Sequence, residues 1–272
     1  MSTLFDRYLR LLGLERETPS PDALTRLVSA NIYRIPFENV SKLYRKRHQG
    51  LVGIPAFEQY LDGVEHHHFG GTCHTNNYYF YRLLDHLGYR VRLCGADMGA
   101  RRNVHVVSIV EVDGREYLID MGYAAPFDFP IPRDLPGDFA IAHRGNDQYI
   151  LKPQDEAGRS EMVLIRDGEH KHGYRVNPDP RQIEDFSAAI EGSYGPEATF
   201  MKALLLARLY PNRSRVVHNM KALEMNGTVL NRHEFADRTE LAGYVEQYFD
   251  IPQPVLFEVL DDLGNLRGDP WS

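Results

Sequence analysis

The segment HHHFGGTCHTNN at residues 66–77 contains Cys73, one of only two cysteines among the 272 residues. Gly70 and Gly71 let the backbone bend sharply ahead of it and approach other groups closely, and Thr72 is a residue type that caps helix N-termini. We therefore predict that Cys73 lies in the first turn of a helix. The helix dipole and free backbone N–H groups there lower the pKa of a thiol, and the thiolate is the nucleophilic form.

A nucleophilic cysteine needs a base, and the segment NVHVVSIVEVDGREYLIDMG offers one. It consists of two alternating apolar runs around Asp113-Gly114, a dipeptide typical of a two-residue hairpin turn. With that turn, His105 and Asp120 lie on the same face as diagonal neighbours, about 7–8 Å apart at Cα. A carboxylate at Nδ1 of the ring would fix its tautomer and favour its protonated form. From the hairpin alone, a core histidine satisfied by a nearby carboxylate remains an alternative.

The histidine run at residues 66–68 could instead bind Zn²⁺ together with Cys73. Three consecutive histidines cannot all face one ion from a regular element, and no second Cys/His pair has a typical ligand spacing. We therefore favour a solvated histidine run and expect no metal. For the second cysteine, Cys94 in the strand-like RVRLCGADM, we expect a small buried hydrophobe.

The composition is that of an ordinary globular protein, with 43% hydrophobic and 25% charged residues. The net charge of −7 argues against nucleic acid or an anionic membrane as the main partner. The first residues lack the uninterrupted apolar core of a signal peptide, and no apolar run is long enough to span a bilayer. Two cysteines give no disulfide framework. These features predict a cytoplasmic protein with reduced thiols.

The elements that must position these residues change in character along the chain. The first part is typical of helices: Ser20 and Pro21 begin one, PAFEQYLDG is a second, and another begins near Thr72. Period-two patterns then predict strands and two hairpins, the second in EMVLIRDGEHKHGYRV. Past residue 180 we expect the helices FMKALLLARLY, TELAGYVEQYF and PVLFEVLDDL, and the strands RVVHNMKALEM and TVLNRHEF.

Four of these segments resemble the motifs of arylamine N-acetyltransferases. FGGTCHTNN is similar to the family's Arg-Gly-Gly-x-Cys-x-Glu-x-Asn signature, and IPFENV (35–40) matches an upstream motif. NVHVV and YLIDMGYAA resemble the His-bearing strand and the Asp-Val-Gly-Phe-Gly segment. The resemblance implies an α+β fold: a helical bundle (1–88) with the nucleophile, a β-barrel (89–180) with His and Asp, and an α/β lid (181–272).

The same resemblance implies a catalytic triad and a reaction. Cys73 would accept the acyl group, with His105 as its base and Asp120 as the orienting acid. The chemistry would be ping-pong transfer from acetyl-CoA, the co-substrate, to an aromatic amine, hydroxylamine or hydrazine. Phe37 would line the acceptor site, and Tyr123 and Phe200 are further candidates near donor or acceptor. For these three aromatic residues, plain core packing is the alternative.

The sequence departs from the family pattern at three positions. Phe69 stands where the signature has Arg, and Thr75 stands where it has Glu. The joint loss of both charges is expected if the two side chains were paired. The last Gly of the Asp segment is Ala124, whose methyl group could narrow the acyl donor's channel. Three other functions therefore remain open: an amide synthase-like relative with another thioester donor, a thiol hydrolase or transglutaminase-like enzyme, and a non-enzymatic descendant.

Overall fold

A computed structural model of the protein describes residues 3–264 and Leu266. The N-terminal part is helical: α1 (Leu4–Leu11), α2 (Pro21–Arg34), α3 (Val40–Gln49), α4 (Phe57–His67) and α5 (Cys73–Leu87). The predicted start of α2 is confirmed, because the Ser20 side chain accepts a hydrogen bond from the backbone N–H of Ala23 at 3.1 Å. The helix α3 was not predicted. Its apolar positions are few, and its only signal is Gly50, which ends it in a left-handed conformation.

The middle of the chain forms one antiparallel, barrel-like sheet in the order β5-β4-β3-β2-β9-β8-β7-β6 within the described residues. Its strands are β2 (Arg90–Met98), β3 (Arg101–Val112), β4 (Arg115–Ile119), β5 (Ile131–Pro132), β6 (Phe139–Arg144), β7 (Asp147–Leu151), β8 (Ser160–Arg166) and β9 (Glu169–Pro180). Both predicted hairpins are confirmed, β3–β4 and β8–β9. The strands β6 and β7 add a hairpin that the sequence patterns did not indicate.

A second antiparallel sheet has the order β1-β10-β11-β12-β13. Its strands are β1 (Phe37–Glu38), β10 (Leu205–Tyr210), β11 (Arg213–His218), β12 (Lys221–Asn226) and β13 (Val229–Glu234). The helices α8 (Arg238–Phe249) and α9 (Gln253–Asp262) pack their buried faces into the same apolar cluster as this sheet. Both helices were predicted.

Two predictions for this region are wrong. FMKALLLARLY is not one helix: it holds part of the short α7 (Thr199–Lys202) and then β10, because its second half pairs with β1 and β11. RVVHNMKALEM is not one strand either. Asn219 adopts a left-handed conformation with φ of 53° and breaks the segment into β11 and β12.

The segment between the two sheets contains a 3₁₀ helix (Ile183–Phe186), α6 (Ser187–Gly192) and α7. The predicted boundaries at 88 and 180 fall where α5 and β9 end, but β1 pairs with β10 across them. The three-part division therefore stays a proposal, and the end of its last part, residue 265 and residues 267–272, lies outside the described residues. Within the described ranges no helix has the length and apolarity needed to cross a membrane.

Candidate active site

Two glycines place the start of α5 against the preceding chain. A Cβ atom on Gly70 would lie 1.8 Å from the carbonyl oxygen of Pro36, and one on Gly71 would lie 2.9 Å from Cβ of Thr75. The predicted close backbone approach is thereby confirmed. Cys73 begins the helix as predicted, and Thr72 occupies the N-cap position, although its side chain caps none of the N–H groups described. Free N–H groups at a helix start favour negative charge beside them.

The β3–β4 hairpin has the predicted register. Val112 pairs with Arg115, and the ladder runs on to Ser108 and Ile119. Both turn residues, Asp113 and Gly114, have positive φ, as a two-residue hairpin turn of type I′ requires. Asp120 follows directly after the last pair, so its side chain faces the side of the sheet that carries His105.

His105 and Asp120 form a buried hydrogen-bonded pair. The ring nitrogen Nε2 lies 2.8 Å from Oδ2 of Asp120. We expected Nδ1 to make this contact, and that expectation is wrong: the carboxylate approaches from beyond the end of the ladder and meets the outer ring nitrogen. The inner nitrogen is therefore left for a different partner. The ring of Tyr174 packs 4.9 Å from the imidazole and helps to hold its orientation.

Asn77 holds the carboxylate in place, a role that the sequence analysis missed. Its Nδ2 donates to Oδ1 of Asp120 at 2.9 Å, and its Oδ1 accepts from the backbone N–H of Met121 at 2.7 Å. The N–H of Gly122 also donates to Oδ1 of Asp120, at 2.8 Å. The signal was available, because Asn77 lies one helical turn after Cys73 and therefore on the same face of α5.

The thiol of Cys73 lies within the electrostatic reach of two histidines. Burial by itself raises the pKa of the thiol, but His74 and a hydrogen bond with His105 together lower that pKa well below its ordinary value. Burial likewise opposes the charge of His105, yet Asp120 and Cys73 raise the pKa of the imidazole to about 10. At neutral pH the favoured state is therefore a thiolate beside an imidazolium.

The carboxylate of Asp120 is charged in this state. Burial raises the pKa of this carboxyl group, but His105, Asn77 and the N–H of Gly122 outweigh burial and lower it. A buried acid that accepts hydrogen bonds from a cationic ring, an amide and a backbone N–H is stable as the anion. The arrangement can thus stabilise positive charge on His105 and orient the ring toward Cys73.

The other cysteine behaves as predicted. Cys94 is fully buried in the barrel, where burial raises the pKa of its thiol to about 12. The histidine run ends α4, and the ring of His67 packs against Phe69 at 5.1 Å. Across residues 3–264 and Leu266 no group of three His, Cys, Asp or Glu side chains could hold a metal ion.

A sequence model described as N-acetyltransferase matches residues 21–254 of this chain. The chain belongs to the arylamine N-acetyltransferase family. Arylamine N-acetyltransferase 1 of Oryctolagus cuniculus is 22% identical over 262 residues, which cover 88% of this chain and 87% of that protein. As a member of this family, the protein is an enzyme, an acetyltransferase that uses acetyl-CoA.

Solved structures of this family share the fold. The arylamine N-acetyltransferase from Salmonella typhimurium superposes with a TM-score of 0.79 at 19% identity, covering 96% of this chain and 99% of that one. The Mycobacterium marinum arylamine N-acetyltransferase in complex with CoA superposes with a TM-score of 0.77 at 20% identity, covering 97% of this chain and 96% of that one. The predicted α+β fold of helical bundle, β-barrel and α/β lid is thereby confirmed.

The three predicted aromatic residues fall into two separate groups of contacts. Phe37 lies on β1, where it bridges to Gly71, and its ring meets that of Phe200 on α7 at 5.8 Å. The ring of Tyr123 lies 5.9 Å from that of His105, and its hydroxyl group hydrogen-bonds to His172. Phe37 and Phe200 thus lie together, and Tyr123 lies with the barrel residues.

The first departure from the family signature, Phe69, is buried beneath Arg45. The ring of Phe69 is 1% exposed, and the guanidinium of Arg45 lies 5.6 Å above it. Nearby, Glu38 accepts hydrogen bonds from the N–H of Gly70 at 2.9 Å and of Ser41 at 2.7 Å. Burial raises the pKa of Glu38, whereas the positive charge of Arg45 acts in the opposite direction. The positive charge near Glu38 therefore comes from Arg45 on α3 of this arylamine N-acetyltransferase.

The departure at Ala124 has a backbone consequence. This residue has a φ of 60°, in the left-handed region that L-residues with a Cβ disfavour. Glycine adopts that conformation at little steric cost, so the family's glycine suits this position better than alanine. Ala124 is partly exposed and lies next to Tyr123, close to the candidate site.

Proposed function

We propose that this enzyme moves an acetyl group from acetyl-CoA to an arylamine through a thioester on Cys73. The observation that carries the proposal is the buried hydrogen-bonded pair of His105 and Asp120, in which His105 lowers the pKa of the Cys73 thiol. It supports a thiolate at neutral pH in a protein whose second cysteine is inert. Arylhydroxylamines and hydrazines are the other acceptors that this chemistry accommodates, because each presents a nucleophilic nitrogen.

In the first half-reaction the thiolate of Cys73 attacks the carbonyl carbon of acetyl-CoA. The S–C bond to Cys73 forms as the bond to the CoA sulfur breaks, and the imidazolium of His105 gives its proton to the departing CoA thiolate. CoA leaves as the free thiol. The products are acetyl-Cys73 and a neutral His105 that still contacts Asp120.

In the second half-reaction the amine nitrogen attacks the acetyl carbon of the thioester. The neutral His105 takes a proton from that nitrogen as the C–N bond forms, and Cys73 leaves as the thiolate. Asp120 again stabilises the imidazolium, so the thiolate–imidazolium pair is restored. In both half-reactions the uncapped N–H groups at the start of α5 are available to the oxyanion of the tetrahedral intermediate.

The apolar pair Phe37 and Phe200 supports an aromatic acceptor. Its edge-to-face rings lie beside the backbone of Gly71, two residues before the nucleophile. A flat aromatic amine can pack against such rings with its nitrogen directed at the thioester. Tyr123, whose ring packs against that of His105, is a candidate for contact with the donor or the acceptor.

Intact-protein mass spectrometry after brief exposure to acetyl-CoA tests the proposal. The unmodified protein and Cys94→Ala should each gain one acetyl group and lose it when an arylamine is added. Cys73→Ala should gain none and should have no turnover. If Cys94→Ala removes the acetylation, or Cys73→Ala retains it, the nucleophile is misassigned.

A different acyl donor is the second candidate, and Ala124 is the observation that favours it. Its methyl group and its left-handed backbone both depart from what the glycine of the family provides. A panel of acyl-CoAs and other acyl thioesters in the same mass experiment would identify the group retained on Cys73. Release of free acid without any amine would instead indicate a thiol hydrolase.

A further inference from the structure

A second histidine, His74, contacts the nucleophile directly. It follows Cys73 in the first turn of α5, and its Nδ1 lies 3.5 Å from the Sγ atom of Cys73. The residue is 6% exposed. Its other ring nitrogen, Nε2, is buried and has no hydrogen-bond partner among the described residues. No signature residue of the family corresponds to it, because this position is variable in the motif quoted above.

The environment of the ring determines where its proton lies. A positively charged ring would bury an N–H donor at Nε2 without an acceptor, which is the most unfavourable arrangement. A neutral ring with its proton on Nε2 leaves the same donor unsatisfied and turns a lone pair toward a thiolate. The neutral ring with its proton on Nδ1 avoids both problems, since only a lone pair is left unpaired and the N–H faces the sulfur.

We propose that His74 is a second catalytic imidazole, whose Nδ1–H donates to the sulfur of Cys73 and stabilises it whenever it is a thiolate. This role rests on the proposed function of Cys73 and adds a residue to it. His105 cannot fill the same role throughout, because its proton must leave with CoA in the first half-reaction. His74 exchanges no proton and remains a donor in both half-reactions.

The hydrogen bond from His74 accelerates the reaction most in the step in which Cys73 is the leaving group. A hydrogen bond that lowers the pKa of a thiol reduces its nucleophilicity only in part but makes it a better leaving group. His74 should therefore speed the attack of the amine on the thioester more than it affects acylation by acetyl-CoA. The two half-reactions, measured separately, distinguish this role from simple packing.

Other charged groups also act on the thiol of Cys73, and a test of His74 must leave them unchanged. His105 with Asp120 acts from the barrel, and Lys42 acts from α3. Lys42 is 7% exposed and donates to Oγ of Ser193 at 2.5 Å, and burial lowers the pKa of its ammonium group to about 8. None of these groups is altered by a substitution at His74.

Two substitutions at His74 isolate the donor. In His74→Asn the amide nitrogen takes the place of Nδ1 and can still donate to the sulfur. In His74→Leu the volume is similar, but the donor is lost, and the apolar side chain suits the nearby ring of Phe186, 6.4 Å from the imidazole. His86→Leu is the matched control, because it changes a histidine in the last turn of the same helix.

The first measurement is the pH dependence of Cys73 alkylation by iodoacetamide, assigned by peptide mass spectrometry. We expect His74→Leu to raise the midpoint by about one pH unit or more, since a hydrogen bond to a charged group is lost. The second is single-turnover loss of acetyl-Cys73 to an arylamine. It should slow about tenfold in His74→Leu, and more than acylation slows, while His74→Asn and His86→Leu stay within about threefold.

Two outcomes would overturn the assignment. One is a His74→Leu protein whose alkylation midpoint and deacetylation rate match those of the unmodified protein. The other is a His74→Asn protein that loses as much as His74→Leu, because the donor would then be irrelevant. If the unmodified protein forms no acetyl-enzyme at all, the proposed function is wrong. The role of His74 is still tested in that case, because the iodoacetamide measurement does not depend on acetyl transfer.

Discussion

The close backbone approach between Gly122 and Cys73 gives the sharpest prediction. A Cβ atom on Gly122 would lie 2.4 Å from Cα of Cys73, 2.6 Å from Nδ2 of Asn77 and 2.9 Å from the carbonyl oxygen of Cys73. The first distance is about 1 Å shorter than ordinary carbon–carbon contact. Two of the three atoms are backbone, so Gly122→Ala must displace the start of α5 or the end of the hairpin.

The expected effect on catalysis is large. A displacement of about 1 Å between nucleophile and base costs about 10²-fold in rate, or about 2.7 kcal/mol in the activation barrier. The same substitution also pushes on the amide of Asn77, which donates to Asp120. Overpacking of this kind destabilises the fold by about 1–3 kcal/mol. We therefore expect Gly122→Ala to fold, with a lower unfolding temperature and a kcat/KM reduced about 10²-fold.

The assay is kcat/KM for acetyl-CoA with an arylamine, together with thermal unfolding. Gly243→Ala on α8 is the control, since a Cβ there would meet no described atom within 4 Å other than its chain neighbours and the backbone of its own helix. It should keep full activity and gain about 0.5–1 kcal/mol, because alanine is the better helix former. If Gly122→Ala has an unchanged kcat/KM, the close contact between Gly122 and the start of α5 does not position the nucleophile.

Three further substitutions address the acceptor, the donor and the charge state. Phe37→Ala should raise KM for an aromatic acceptor while the fold stays intact. An unchanged KM would show that Phe37 serves only in core packing. Ala124→Gly should raise kcat/KM for acetyl-CoA. It relieves about 1–2 kcal/mol of left-handed strain and costs about 0.5–1 kcal/mol of glycine entropy, so stability should rise by at most about 1.5 kcal/mol. If Ala124→Gly leaves kcat/KM unchanged or lowers it, the methyl group of Ala124 does not narrow the acyl donor's channel. Because the pKa of Cys73 is lowered, its alkylation by iodoacetamide should be independent of pH around neutrality and fall only as acid protonates the thiolate. Asp120→Asn removes the charge that raises the pKa of His105, so the alkylation midpoint should rise toward the free-thiol value of about 8.5, and no change would refute the coupling.

The hairpin could be predicted from sequence because its register is a local property. Asp113-Gly114 fixes the turn, and the turn fixes which residues share a face with His105. The start of α5 was also predictable, since a Gly-Gly pair before a helix marks a close backbone approach. The meeting of these two elements was not predictable from spacing, because it depends on packing between distant parts of the chain.

The parts that sequence reasoning missed depend on tertiary contacts. FMKALLLARLY has the length and Leu content of a helix, yet β10 forms because it pairs with β1 and β11. Asn77 was noticed only as part of a motif, and its bonds to Asp120 and Met121 require the hairpin to dock on α5. His74 appeared to be one more member of a histidine-rich segment. Only its orientation toward the sulfur distinguishes it from the preceding histidines.

Two buried carboxylates hold the backbone on either side of the nucleophile. Glu38 accepts from the N–H of Gly70 ahead of Cys73, and Asp120 accepts from the N–H of Gly122 in the bend that follows β4. Each buried anion requires positive charge nearby, because an unpaired buried charge is strongly destabilising. His105 provides that charge for Asp120, and Arg45 provides it for Glu38. The hydrogen bond that anchors the Gly-Gly turn to Glu38 is therefore present although position 69 carries Phe69 and no arginine.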